Sequence, residues 1–371
     1  MLLRRRIFLT IFPVAAFIAV GLLVWCLCRP PALYRVTILP TRGGLNTFAE
    51  KLNDHGQVMG VVYEDGHPRP FLWDHIHGIQ GLGLAGECPM GLMVNNAQEV
   101  GGTTPTDPNS AKSKRAFLWE SAQGRTMLGT LGGKMSLAIA MNNRGQIVGI
   151  SDTADGCPHA FLWDRETGMQ ELTAPDGSRC QPVSINDAGQ ILVMSLKPTV
   201  VSPHPWFLLD PNGAEPLHPI PADTQPLSIN ASSCVAAIEK PGSPTSYLLL
   251  RDEHAIWKRV FHMHDQLLPA RPLNDRNQIA YTEHVYSRWE SLRNRLPRWL
   301  VRPRQPSYRA TESYLWDPAH GRIPLNRYLR GITHFHVVDL NNNGCIVGTG
   351  QTKDGTSCSV LLEPIPERWG E

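Results

Sequence analysis

The feature that most restricts how this chain can fold is a short pattern that returns seven times. Its first copy runs from Asn53 to Gly60 (NDHGQVMG), and close copies start at Asn142 (NNRGQIVG) and Asn341 (NNNGCIVG). Weaker copies start at Asn95, Asn186, Asn230 and Asn274. The intervals between these asparagines are 42, 47, 44, 44, 44 and 67 residues, and the residue before each is apolar (Leu52, Val94, Met141, Ile185, Ile229, Leu273 and Leu340). A fixed period of this length marks a repeat architecture in which no unit can bury its own apolar faces alone.

A second pattern follows each Asn: Phe71-Leu-Trp-Asp74, Phe117-Leu-Trp-Glu120, Phe161-Leu-Trp-Asp164 and Tyr314-Leu-Trp-Asp317. Its degenerate forms read Phe207-Leu-Leu-Asp210, Tyr247-Leu-Leu-Leu250 and Val360-Leu-Leu-Glu363. A fainter apolar segment precedes each Asn, at 34–39, 79–82, 126–128, 169–172, 215–217, 255–260 and 322–325. Each unit thus holds four short strands: the faint one, the one ending at Asn, the one after the turn, and the Phe-Leu-Trp strand. Four strands per 40–45 residues predict an all-β, seven-bladed β-propeller of four-stranded blades. A parallel β-helix, the rival, uses shorter periods and fewer turns per unit. Composition agrees, with 32 Gly, 31 Pro and only 18% charged residues in 371.

Asn followed by Asp or Asn and then Gly is turn chemistry, in which Asn bonds nearby backbone and Gly supplies a positive φ. Gly56, Gly145, Gly189 and Gly344 fill that place and Asn277 tolerates it, whereas Gln98 and Ser233 fit poorly, so the second and fifth turns are expected to differ in shape. Phe71 and Trp73 share one strand face and predict inter-blade core, worth about 2–3 kcal/mol per large buried side chain.

The stretch from Leu131-Gly-Gly133 to Gly149, followed by His159-Ala-Phe-Leu-Trp-Asp164, resembles the extracellular HAF-repeat family, named for its His-Ala-Phe motif. The resemblance covers roughly residues 34–363 and is strongest in the first three units and the last. His-Ala precedes the Phe once only; Arg69-Pro70, Arg115-Ala116 and Ser313 stand there elsewhere. The resemblance implies an exported, propeller-like protein and supplies no catalytic residue.

Residues 1–30 read as cytoplasmic arginines plus a membrane anchor, and 31–371 as the propeller. Positions 7–28 carry no charge and are long enough to cross about 30 Å of hydrocarbon as one transmembrane helix. Arg4, Arg5 and Arg6 against Arg29 put the N-terminus in the cytoplasm and the propeller in the periplasmic or extracellular space. A cleaved signal is the competing reading, without an A-x-A site after the run. Of the six cysteines beyond the span, Cys345 and Cys358 are the pair expected to meet, since they flank neighbouring strands; no C-x-x-C spacing points to zinc.

The net charge of +2 separates into the N-terminal arginines, a body that is slightly acidic, and one basic segment. The body lacks the basic field a nucleic-acid binder needs. Neither a G-x-S-x-G elbow, an H-E-x-x-H helix nor a P-loop occurs, and no cofactor is implied. The His75/His77, His262/His264 and His334/His336 pairs fall at different places in the repeat, which disfavours a shared metal. The 67-residue interval holds an insert at about 282–309 with seven arginines and two glutamates. Val285, Trp289, Leu292 and Leu296 have helical spacing there, predicting a basic amphipathic helix. Arg288, Trp289, Arg293, Arg295, Arg298 and Trp299 are the residues expected to touch an anionic membrane surface or an acidic partner. The function expected is a binding or scaffolding module for a protein or glycan. The alternative is an exported hydrolase or lyase acting on glycan or peptide at the central opening, favoured if acids or histidines from three or more blades line that opening.

Overall fold

The computed structural model describes residues 33–40, 46–83, 89–107, 113–197, 206–210, 213–216, 224–239, 246–252, 254, 256–263, 273–286 and 308–368. The chain divides into two compact units, one of Val36–Glu363 and one of Met1–Arg35 with Pro364–Glu371. In the smaller unit the Ile365 N–H bonds the Leu33 carbonyl at 2.9 Å, and Pro366–Arg368 form a 3₁₀ turn. No helix among the described residues is long and apolar enough to cross a membrane. Positions 7–28 lie outside the described residues.

The larger unit is built from seven antiparallel sheets. Strand β1 is Tyr34–Ile38. Blade 1 follows as β2 (Thr47–Leu52), β3 (Val58–Glu64), β4 (His67–Asp74) and β5 (Gly78–Gly81), hydrogen-bonded in that order. Blades 2 to 5 repeat the meander as β6–β9 (90–127), β10–β13 (132–172), β14–β17 (180–216) and β18–β21 (224–263). Blade 6 has three named strands, β22 (Ile279–Tyr286), β23 (Tyr308–Asp317) and β24 (Gly321–Pro324), and its residue before Asn274 contributes the bridge Leu273–Ile279. Blade 7 contains β25 (Thr333–Leu340), β26 (Ile346–Gln351) and β27 (Ser357–Pro364), and β1 is its fourth, outer strand. The first strand of the propeller therefore completes the last sheet, a closure the repeat alone did not specify.

The core lies between blades. Phe71 and Trp73 of blade 1 pack with Val347 and Leu361 of blade 7, while Leu72 on the opposite face joins Val100 and Phe117 of blade 2. The same division recurs where Leu118 meets Phe161 and Trp163. A two-residue period sends Phe and Trp to one neighbour and the intervening Leu to the other. Gly60 and Gly149 lie opposite Phe71 and Phe161 in the ladder. A Cβ at Gly149 would stand 2.0 Å from the Leu137 carbonyl oxygen and 2.7 Å from the Phe161 ring, so this strand position admits only glycine.

Four expectations change. The second and fifth turns have the same shape as the rest: Gln98 and Ser233 take φ values of 62° and 60° beside 75° at Gly145, with the same backbone bonds. Tertiary pairing overrides the residue's own preference. The fifth Phe-Leu-Trp-Asp copy is Leu249-Leu-Arg-Asp252, two residues later than Tyr247–Leu250, because Val235 pairs with Arg251 as Val58 pairs with Trp73. Val285, the first residue of the expected helix, is in strand β22 opposite Ala310, so the insertion is the connection 287–307 between β22 and β23. Cys345 and Cys358 are free thiols. Cys345 ends the turn before β26, while Cys358 pairs with Gly350 near the strand's other end, which puts several residues of extended chain between them.

Candidate functional site

The seven Asn turns converge on the propeller's central opening. In the first, Asn53 Oδ1 accepts the N–H groups of His55 and Gln57 at 3.1 and 3.0 Å, and Nδ2 donates to Gln57 Oε1 at 2.8 Å. Its second amide hydrogen crosses to the next blade, reaching the Asn95 carbonyl at 3.0 Å. All four hydrogen-bonding capacities of the side chain are used. The crossing bond recurs from Asn142 to Asn186, Asn186 to Asn230, Asn230 to Asn274, Asn274 to Asn341, and Asn341 back to Asn53, at 2.8–3.1 Å. Asn95 instead turns its amide to Glu99 Oε2 at 2.7 Å.

A second circle lies one residue further on. The N–H of Asp54 donates to Asn96 Oδ1, Asn96 to Asn143, Asn143 to Asp187, Ala231 to Asp275, Asp275 to Asn342 and Asn342 to Asp54, all at 2.8–2.9 Å. The link between the fourth and fifth blades is missing because Ala231 has no side-chain oxygen to offer the Asp187 N–H. Turn residues expected from the sequence to be merely local are thus the joints between blades.

Inside this double circle is a cavity of about 200 Å³ whose lining includes Lys51, Asp54, Asn143, Asp187, Ser228 and Asp339. Carboxylates from three blades line it, but each is engaged. Asp54 accepts Asn96 Nδ2 at 2.8 Å, Asp187 accepts Asn143 Nδ2 at 2.8 Å, and Asp339 accepts the Leu52 N–H at 3.0 Å and pairs with Lys51 Nζ at 3.3 Å. Desolvation raises the carboxyl pKa of Asp275, and the nearby charges of Asp187 and Asp54 raise it further against the Ala231 N–H.

A polar seam joins the two sequence motifs in blades 1, 3, 4 and 6. Gln146 Nε2 donates to Asp164 at 3.1 Å, Gln190 to Asp210 at 2.8 Å and Gln278 to Asp317 at 2.8 Å. Burial opposes ionisation of Asp74, yet donors from His77, Ile76 and Gln57 outweigh it and hold its pKa at about 2. In blade 2 both partners are acids, Glu99 and Glu120, and Arg165 Nη2 from blade 3 bridges them at 2.7 and 2.9 Å.

Of the histidine pairs, His75 bonds Glu363 at 3.0 Å and His77 bonds Asp74, His334 and His336 lie on β25, and His264 lies outside the described residues. Among the described residues no group of three or more His, Cys, Asp or Glu is arranged to hold a metal. Burial raises the Cys180 and Cys345 thiols to about 11, far from a reactive range. Arg288, Trp289, Arg293, Arg295, Arg298 and Trp299 all lie outside the described residues; the strand ends that carry them, Tyr286 and Tyr308, are paired. Sequence reasoning missed the inter-blade role of the turn asparagines, although Asn persists at Asn230 and Asn274 where the turn's Gly is lost.

The architecture defines this class of protein as a seven-bladed β-propeller. Similar folds include virginiamycin B lyase from Staphylococcus aureus (TM-score 0.53, 11% identity, 90% of this chain and 100% of that one). The β-propeller domain of the Trilobed protease from Pyrococcus furiosus is also similar (TM-score 0.55, 9% identity, 86% and 95%), as is the Pyrococcus horikoshii acylaminoacyl peptidase (TM-score 0.51, 11% identity, 82% and 50%). At these identities the likeness is one of fold alone. No family model and no curated relative matches the chain.

Proposed function

We propose that this chain is a membrane-anchored, extracytoplasmic propeller of the HAF-repeat kind that acts as a binding or scaffolding module. The observation that carries the reading is the commitment of the central turns' polar groups to blade-to-blade bonds, which makes the opening a structural hub. The repeat is broken instead at one connection, which carries the arginine- and tryptophan-rich insert. Arg288, Arg293, Arg295 and Arg298 supply charge for an acidic partner surface, and Trp289 and Trp299 supply apolar anchors of the type that dominates interfaces. The test is a photo-reactive residue at Trp289 or Trp299 in the full-length protein in its native membrane. A discrete cross-linked product is expected, lost when the four arginines become serine. An unchanged product in that variant, or none in the parent, overturns the reading.

A second reading, an exported hydrolase or lyase, is favoured by one observation: Asp54, Asp187 and Asp339 from three blades line the opening, and the charges of Asp54 and Asp187 help raise the pKa of Asp275 in the neighbouring turn. Asp275 is the group poised for proton transfer in that case. Hydrolysis or elimination on a glycan or peptide panel, lost in Asp275→Asn, would replace the binding-module reading.

A further inference from the structure

Beneath the Asn turns the innermost strands share an irregularity that the turns themselves do not require. The ladder to the second strand shifts register just before Lys51, Met93, Ala140, Ser184, Ser228 and Asp339. A bulge of this kind re-aims the side chain next to it. Each of these residues stands two before the Asn of its blade, and all but Ala140 line the central cavity of about 200 Å³. The repeat holds Asn and its apolar predecessor constant, yet at this place it carries a cation, a thioether, a methyl, two hydroxyls and a carboxylate. The joint of blades 7 and 1 shows what the layer accepts. The Asn53 N–H bonds the Gln57 carbonyl inside its own sheet, so the Leu52 N–H points off the sheet's inner edge, and Asp339 Oδ2 takes it at 3.0 Å. Asn230 and Asn274 bond Cys234 and Gln278 in the same way, which turns the N–H groups of Ile229 and Leu273 in the corresponding direction. The residues in the place of Asp339 at those two joints are Ser184 and Ser228, whose side chains end one bond sooner than a carboxylate. Ser228 is 4% exposed and its hydroxyl has no partner in the protein, a state that costs free energy until something else bonds it.

We infer that the central opening binds a small zwitterion, a free amino acid or a short peptide, with its carboxylate at Ser184, Ser228 and the N–H groups of Ile229 and Leu273, and its ammonium on Asp339. The ligand's carboxylate does at the serine joints what Asp339 does for Leu52. Asp339 retains room for the ammonium, because its contact with Lys51 Nζ is 3.3 Å, longer than the roughly 2.7–2.9 Å of a tight charge-assisted bond. Charge supports a ligand that is neutral overall. The cavity wall carries Asp54, Asp187 and Asp339 against Lys51, the turns around it add Asp275 against Arg144 and Arg276, and Arg165 is held by Glu99 and Glu120. Neither a simple anion nor a simple cation is favoured by so even a balance. Met93 and Met141 on the wall offer an adaptable apolar surface to a side chain. The volume is several times the ~30 Å³ share of one water, so a solute of this size has space. The site needs neither the anchor nor the insert.

The test is calorimetric titration of the full-length protein in detergent with L-leucine and with glycyl-L-leucine, beside N-acetyl-glycyl-L-leucine amide, in which both charges are blocked. Saturable one-to-one binding of a zwitterion is expected, and the tighter of the two tells a free amino acid from a peptide. The blocked peptide should bind at least tenfold more weakly. The same loss is expected for the zwitterion in the Ser184→Ala/Ser228→Ala double variant, and in Asp339→Asn, which keeps an acceptor for the Leu52 N–H and stands in if the double variant does not fold. No saturable binding of either zwitterion, equal binding of the blocked peptide, or parent-like affinity in a folded variant overturns the site and leaves water alone in the opening.

Discussion

At the scale of the residue, one side chain does three jobs in the first turn. Asn53 shapes its own loop through Oδ1, aligns Gln57 through one amide hydrogen, and reaches Asn95 with the other. Glycine three positions on is a matter of backbone freedom, since Gln98 holds φ 62° with an exposed side chain. Gln98→Gly is therefore expected to raise stability by about 0.5–1 kcal/mol, read as a higher urea midpoint with unchanged slope. The asparagines were legible in the sequence as turn formers. Their reach into the next blade was not, because the acceptor is a backbone carbonyl 42–67 residues away, or 288 at the closing joint, that any residue type would provide.

At the scale of the element, blades 1, 3, 4 and 6 are pairs of motifs tied by a Gln–Asp bond. Blade 2 substitutes two glutamates and relies on Arg165 from its neighbour. Arg165→Ala is expected to cost roughly 1–2 kcal/mol, less than the ~3–5 typical of a buried pair because Arg165 is partly in water. Adding Glu99→Gln and Glu120→Asp should recover most of it, measured by thermal unfolding. The seam also predicts acid behaviour. Asp74 has a pKa of about 2 in the folded protein, below its unfolded value, so its contribution is complete above pH ~4 and is lost as pH falls through that window towards 2. Asp317, lowered by Gln278 and His320 against the opposing effect of burial, adds to the same loss. Asp74→Asn should flatten the stability profile between pH 4 and 2. Strands with alternating apolar residues were readable in advance. The fifth Phe-Leu-Trp copy lies two residues beyond the place its sequence pattern suggests, and a slip of two leaves every side chain on its proper face. Val285 belongs to β22 although it begins a 3–4 spacing of apolar residues, because that spacing runs across the strand's end.

At the scale of the whole molecule, two circles of hydrogen bonds run head to tail through the hub, and each lacks one link at a different joint. The gap between blades 4 and 5 has a chemical cause, the alanine at 231. Ala231→Asn supplies the acceptor that the Asp187 N–H lacks, and a gain of about 1 kcal/mol is expected, read as an increased midpoint in chemical unfolding. No gain would show that this joint is held by the apolar packing of Leu192, Leu208 and Val235 alone. The seven-fold count and the blade class were readable from spacing, whereas closure was not, since the repeat does not say whether the first strand belongs to the first sheet or the last. That closure has a mechanical consequence. A pull on the chain ahead of Tyr34, directed along the axis of β1, loads its rungs to β27 together in shear, so they do not peel one at a time. The strand that seals the ring is thereby suited to bear tension, and the force needed to detach it should far exceed that for unzipping the same number of bonds.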